Sequence, residues 1–195
     1  MTKIVFASGN PGKLREAQEI LGSGFTLVSP AAVGIVEDIP ETGATIRENS
    51  LQKARYIFDK TGLDCFADDT GLEVDLLGGA PGVETARYAG PARDSAANIR
   101  KLLAELSRFS PDAPRTARFR TAITLILGGK VHTFDGLMEG SIARECHGTG
   151  GFGYDPVFIP AGYTCTNAEL TDEEKNAISH RGKALRAMAA YLKQL

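Results

Sequence analysis

An α/β fold built on a mixed sheet is the prediction for this 195-residue chain, and three observations carry it. Short apolar, β-prone runs alternate with segments of helical period, which argues for strands interleaved with helices. Two long alternating runs meet at Gly128, Gly129 and Lys130, which adds an antiparallel hairpin to a sheet that would otherwise be purely parallel. The length and the 43% apolar content are enough for a sizeable core, so one domain, or one domain with two lobes, is expected.

The elements follow in order. Lys3 to Ser8 (KIVFAS) is a buried first strand; "GNPG" punctuates it, and Lys13 to Leu21 is a helix. Phe25 to Ser29 is a second strand, and Gly34 to Gly43 a loop rich in Pro, Gly and acids. Thr45 with Glu48 three residues later is a capping box opening a helix whose core stripe is Leu51, Ala54, Ile57 and Phe58, with Asn49 and Lys53 together on a neighbouring face. Cys65 to Asp69 is a strand, followed by a second extended run from Leu72 to Leu77 and a loop from Gly78 to Gly82. Asp94 to Leu106 is a helix turning Ile99, Leu102, Leu103 and Leu106 inward. Thr116 to Leu127 and Lys130 to Met138 are the paired strands of the hairpin, and Gly148 to Pro156 (GTGGFGYDP) is a glycine-dense loop. Thr171 and Glu174 form another capping box, and the last helix, after Gly182, buries Leu185, Met188, Ala189 and Leu192.

Composition excludes several function classes. A net charge of −2 makes no global case for nucleic acid, so an anionic ligand would need a local cluster of Lys and Arg. The three cysteines, Cys65, Cys146 and Cys165, are odd in number and form no CxxC pair, which argues against a disulfide framework or a zinc site and fits a reducing cytoplasm. The first apolar run stops at Gly9-Asn10, too short for a signal peptide, and no stretch has the length of a membrane span.

Five stretches can carry chemistry. "SGNPGK" (Ser8 to Lys13) joins a strand to a helix start, where free backbone N–H groups and Lys13 suit a phosphate; the alternative is a plain strand–turn–helix joint. Glu41 and Asp69 lie near element ends, and one or two carboxylates with water are what Mg²⁺ prefers; the alternative is solvated loop acids. Asp68 and Asp69 sit side by side in "FADDTGLEV", and because successive strand residues face opposite ways, they should have different jobs: one toward a ligand, the other on backbone or a cation. Phe152 in the glycine-rich loop either stacks on a base or tucks into the core. Lys175, His180 and Arg181 are either base-edge donors or the solvated face of an amphipathic helix. Together these form the parts of a nucleoside-triphosphate site.

"SGNPGK", "FADDTGLEVDLLGGAPGVETARYAG", "GTGGFGYDPVF" and "ELTDEEKNAISHRGKAL", in that order, resemble the inosine triphosphate pyrophosphatase family, also called Ham1-like proteins or dITP/XTP diphosphatases. The resemblance implies an elongated mixed sheet flanked by helices, two lobes with a central substrate cleft, a homodimer and a Mg²⁺ requirement. It implies hydrolysis of the purine nucleoside triphosphates ITP, dITP or XTP to the monophosphate and pyrophosphate. Residue by residue, Ser8, Gly9, Asn10 and Lys13 match the triphosphate turn, with Pro11 at a variable position and Gly12 between. Asp69 matches the general base and metal ligand, Glu41 a second metal-associated acid, Lys53 a phosphate-facing lysine and Thr70 a substrate contact. Phe152, Gly153, Tyr154 and Asp155 match the base-binding loop, and Lys175, His180 and Arg181 the residues that read the base. Two rivals stay open: a Maf-like pyrophosphatase acting on other modified nucleotides, and a nucleotide-binding module without turnover.

Overall fold

The computed structural model describes residues 2–194. Its sheet contains β1 (Thr2–Phe6), β2 (Phe25–Val28), β3 (Cys65–Val74), β4 (Pro81–Gly82), β5 (Thr116–Leu127), β6 (Lys130–Ile142) and β7 (Phe158–Pro160). Their order is β2-β1-β3-β5-β6-β7, with β4 paired to β3. The pairs β1–β2 and β1–β3 are parallel, while β3–β4 and β6–β7 are antiparallel, so the sheet is mixed as expected. The helices are α1 (Pro11–Leu21), α2 (Ile46–Thr61), α3 (Ser95–Leu106), α4 (Asp172–Ile178) and α5 (His180–Leu192). Gly128 and Gly129 at the β5–β6 turn have φ of 54° and 77°, the two positive values that a tight two-residue hairpin demands.

The chain divides into two compact units. One comprises Met1–Asp69, Thr121–Gly136 and Arg181–Leu195; the other comprises Thr70–Arg120 and Leu137–His180. In the first, strand alternation sorts side chains to two faces. Ile4, Phe6 and Phe66 point to one face, where they pack with Ala17 and Leu21 of α1 and Leu185, Met188, Ala189 and Leu192 of α5. The Phe6 and Phe66 rings stack there at 4.3 Å. Val5, Ala7, Cys65 and Ala67 point the other way, onto Ala54 and Ile57 of α2. In the second unit, Leu72, Val74, Phe119, Met138 and Phe158 bury one sheet face against Ile99, Leu102 and Leu106 of α3. The intervening residues are charged: Arg120 Nε pairs across to Glu73 Oε1 of β3 at 2.9 Å, and Arg118 Nη1 reaches Asp75 Oδ1, just past the end of β3, at 3.0 Å.

Several predicted boundaries move, each for a local reason. α1 starts at Pro11, because Asn10 caps it and Pro is pre-set for a first helical turn. β3 runs unbroken through the two aspartates. The inner face of α2 is Ile46, Asn49, Ser50, Lys53, Ala54 and Ile57, whereas Leu51 and Phe58 are only half-buried. The hydrophobic stripe was misleading there because the inward face carries three polar residues. Ser50 Oγ, for example, donates to Ala67 O at 3.0 Å and lies 2.9 Å from Thr124 Oγ1. The C-terminal helix begins at His180, two residues before Gly182, after a break at extended Ser179.

β6 extends past Met138 to Ile142, since Gly140, Ser141 and Ile142 pair with β7. A Cβ on Gly140 would lie 2.2 Å from Ile159 O and 2.7 Å from the Phe158 ring. Backbone cannot step aside as a side-chain tip can, so Gly140→Ala should destabilise by about 2 kcal/mol or more. A lower urea midpoint at unchanged slope is the expected reading.

Candidate active site

The two-face logic of β3 extends to its acids. Asp68 shares the parity of Phe66 and therefore points to the α1/α5 face; Asp69 shares that of Cys65 and Ala67 and points to α2. Asp68 is 2% exposed and meets three cationic hydrogen bonds from those two helices. Lys13 Nζ donates to Oδ1 at 3.1 Å and to Oδ2 at 2.9 Å, and Arg181 Nε donates to Oδ2 at 3.1 Å. Arg181 Nη1 also approaches Glu16 Oε2 at 3.5 Å. Burial alone would raise the Asp68 carboxyl, but the charges of Lys13, Arg181 and Lys53 outweigh it and hold the group well below the usual carboxylate range.

Asp69 meets a different set. Lys53 Nζ lies 3.5 Å from Asp69 Oδ1 and 2.5 Å from Glu41 Oε1. Asn49, one turn before Lys53 on α2, hydrogen-bonds the Asp69 side chain, and its Oδ1 accepts from Gly43 N at 2.7 Å, tying the loop after Glu41 to the helix. Burial, with Glu41 and Asp68 as neighbouring negative charges, raises the Asp69 carboxyl against the pull of Lys53 and Asn49. Burial would lower the Lys53 ammonium, but Asp69, Asp68 and Glu41 outweigh it and raise that group. The acids therefore sit in two environments: Asp68 locked as an anion, Asp69 nearer to accepting a proton.

Among the described residues, no group of three or more His, Cys, Asp or Glu is placed to hold a metal ion. Glu41 and Asp69 nevertheless both reach the Lys53 ammonium, so two carboxylates address one cationic point. Two carboxylates, with water and phosphate oxygens completing the shell, fit the Mg²⁺ that the resemblance implies.

The "SGNPGK" turn differs from expectation in one respect. The amides of Gly12 and Lys13 are not open to a phosphate, because Asn10 Oδ1 accepts from both, at 2.8 and 3.3 Å. Asn10 N in turn donates to Ser8 Oγ at 3.2 Å. Asn10 is thus a helix cap, Pro11 and Gly12 form the first helical turn, and exposed Gly9, half-buried Ser8 and the Lys13 ammonium are what the turn presents.

The residues expected to bind the base from the glycine-rich loop, Phe152 to Asp155, lie in the second unit, and they separate into framework and surface. Asp155 is buried, and its carboxylate accepts from Phe152 N at 2.8 Å, Asn167 Nδ2 at 3.2 Å and Lys175 Nζ at 2.5 Å. It organises the loop from within. Gly151 has φ 71°, and a Cβ there would fall 2.2 Å from Asp155 Oδ2, so only glycine fits this close approach. Gly153 takes a left-handed φ of 62°. Tyr154 is buried, its hydroxyl donates to Thr85 O at 2.8 Å, and burial, then Tyr88, raises its phenol. Phe152 is not in the core: it is 70% exposed, with Lys175 Nζ 4.6 Å from its ring centre. His180 stacks on Phe119 at 4.9 Å between ring centres, and Thr70 is half-buried. Asn49, Glu16, Asn167 and Phe119 complete these clusters without having been expected there. Only Asn49 carried a sequence signal, its four-residue spacing from Lys53.

The same chain resembles proteins of known name along its whole length. The Ham1 family model matches residues 4–191. A Porphyromonas gingivalis protein named dITP/XTP pyrophosphatase is 51% identical over 98% of both chains, and one of that name from Bacillus subtilis is 46% identical, again over 98% of both. The structure of a HAM1 protein from Coxiella burnetii superposes with a TM-score of 0.94 at 42% identity, over 100% of each chain. With the family model spanning both acid clusters and the glycine-rich loop, this chain belongs to the Ham1 family.

Proposed function

We propose that this chain hydrolyses deaminated purine nucleoside triphosphates, ITP, dITP and XTP, to the nucleoside monophosphate and pyrophosphate, and so clears them from the nucleotide pool. The observation that carries the reading is the division of labour on β3. One aspartate is fixed between Lys13 and Arg181, while its neighbour, its carboxyl raised, sits with Glu41, Lys53 and Asn49. The names of the relatives support the substrate class.

In this reading a water oxygen attacks the α-phosphorus and its proton passes to the Asp69 carboxylate. The bond from the α-phosphorus to the bridging oxygen breaks, and that oxygen leaves on pyrophosphate with the electron pair. Asp69 orients and deprotonates the water. Lys53 and Lys13 face the phosphate charge, and most of the rate comes from positioning and electrostatics. Asn49 holds the Asp69 carboxylate in place, and Asp68 positions Lys13 and Arg181. Glu41 and Asp69 would hold Mg²⁺, which would supply positive charge against the phosphate oxygens.

Base selection rests on donors. His180, Arg181 and backbone N–H groups suit an oxygen at purine position 6; the amino group of adenine would leave such donors unpaired, at about 1–3 kcal/mol each. Phe152 offers a stacking face, so Phe152→Ala should raise KM for ITP by about 10-fold with a smaller change in kcat, stacking being worth about 1–3 kcal/mol per base. A homodimer working in the cytoplasm belongs to the same proposal: the family resemblance supports the dimer, and the free thiols of Cys65, Cys146 and Cys165 suit a reducing compartment. Pyrophosphate release with Mg²⁺, measured on ITP, dITP, XTP, ATP and GTP at equal concentration, tests the whole. The first three should turn over about 100-fold faster than ATP or more, two missed hydrogen bonds sufficing for that. Equal rates on all five would overturn the reading, and no turnover at all would favour a binding module.

A further inference from the structure

A cavity of about 440 Å³ in the second unit uses none of the residues assigned above. That volume falls in the range of small-molecule sites, roughly 300–1,000 Å³. Its floor is built by strand register. Ile142 N donates to Arg115 O at 2.9 Å, so the residue before β5 lies opposite the end of β6. Ala113 and Arg144 follow in the bends just beyond these two strand ends. All four line the cavity, with Ser141, Thr164 and His147 among their neighbours.

Two guanidiniums thus share one concave surface. Arg115 is half-buried, and its Nη1 donates to Ala143 O at 3.3 Å; Arg144 donates through Nη2 to Pro111 O. Each guanidinium makes one carbonyl bond and keeps further N–H donors on its fork. Neither arginine has a carboxylate at ion-pair distance among the described residues; by contrast, Arg118 and Arg181 do. Burial, and then the charge of Arg144, both push the Arg115 guanidinium down. Glu169 also lines the cavity, but its Oε2 already accepts from Thr166 N at 2.7 Å and Thr166 Oγ1 at 3.1 Å. Two guanidinium forks with surplus donors, hydroxyls beside them and like charge between them suit a multiply charged oxyanion.

We propose that the pocket bounded by Arg115, Arg144, His147 and Thr164 is a second anion site, taking a small phosphate-bearing molecule. Orthophosphate, pyrophosphate and a nucleoside 5′-monophosphate share this chemistry, and the last two are what the proposed reaction releases. The test is amide NMR of the metal-free protein titrated separately with the three anions. Each amide is followed in wild type, in Arg115→Gln/Arg144→Gln and in Arg144→Gln alone. The amides of Ser141, Ala143 and Thr166 should shift saturably with at least one anion. The anion bound most tightly identifies the source. In the double variant, binding read at those amides should weaken by about 10-fold or more, from the loss of two charged hydrogen-bond donors. Arg144 is exposed, so the single variant should fold even if the double variant does not, and it should show a smaller weakening of the same sign. If those amides stay unmoved at millimolar anion, or move equally in wild type and variants, the proposal is wrong. The reading is independent of turnover, so it stands or falls apart from the proposed hydrolysis.

Discussion

Asp69→Asn is expected to reduce pyrophosphate release by about 1,000-fold or more while leaving nucleotide binding within a few fold, the loss typical of a missing general base. The substitution keeps the shape of the side chain, so a loss of rate reports chemistry and not packing. It removes the one acid of the α2 cluster whose environment favours taking a proton. A second outcome separates this from structural damage. A carboxyl raised in the folded state holds its proton more firmly there than in the unfolded chain, so its ionised form at neutral pH works against folding. Asp69→Asn should therefore lose activity without a fall in urea midpoint. Retained activity in the variant would remove Asp69 from the role of base.

Asp68→Asn should do the reverse, with the larger effect on the fold. The carboxylate is buried, and three hydrogen bonds from Lys13 and Arg181 converge on it. Removing one side of such an arrangement leaves cations without their counter-charge, at about 3 kcal/mol; the lower end of the usual range applies because the Lys13 side chain is 26% exposed and can turn to water. The sign with pH follows from the depressed folded pKa. The contribution is fully present above the unfolded value, about 3.9, and is lost as pH falls from there through the folded value. The gap between wild type and Asp68→Asn in urea denaturation should thus be widest at neutral pH and shrink below about pH 4. A gap that stays constant down to strongly acidic pH would mean the ion pairs contribute nothing. ITP binding should also weaken in the variant, because Lys13 and Arg181 would lose the anchor that sets their positions.

What the sequence determined by itself was local, or periodic. The capping boxes at Thr45–Glu48 and Thr171–Glu174 form as read, since their partners lie within one turn. The glycine pair at 128 and 129 makes the hairpin for the same reason. Strand alternation also required Asp68 and Asp69 to face opposite ways, and they do. Motif order along the chain pointed to the family, and the family model spans the same stretches. What only the tertiary structure decided depends on partners far away in the chain. Asp68 found its counter-charges at positions 13 and 181. The polar inner face of α2 escaped the hydrophobic stripe because Asn49 and Lys53 are compensated by Asp69, Glu41 and the backbone of Gly43. Tyr154 and Asp155 lie inside the loop and Phe152 outside, because Thr85, Asn167 and Lys175 reach the first two and leave the ring exposed. A polar residue is buried only where distant groups satisfy its hydrogen bonds and charge, and spacing along the chain does not encode which distant groups those are.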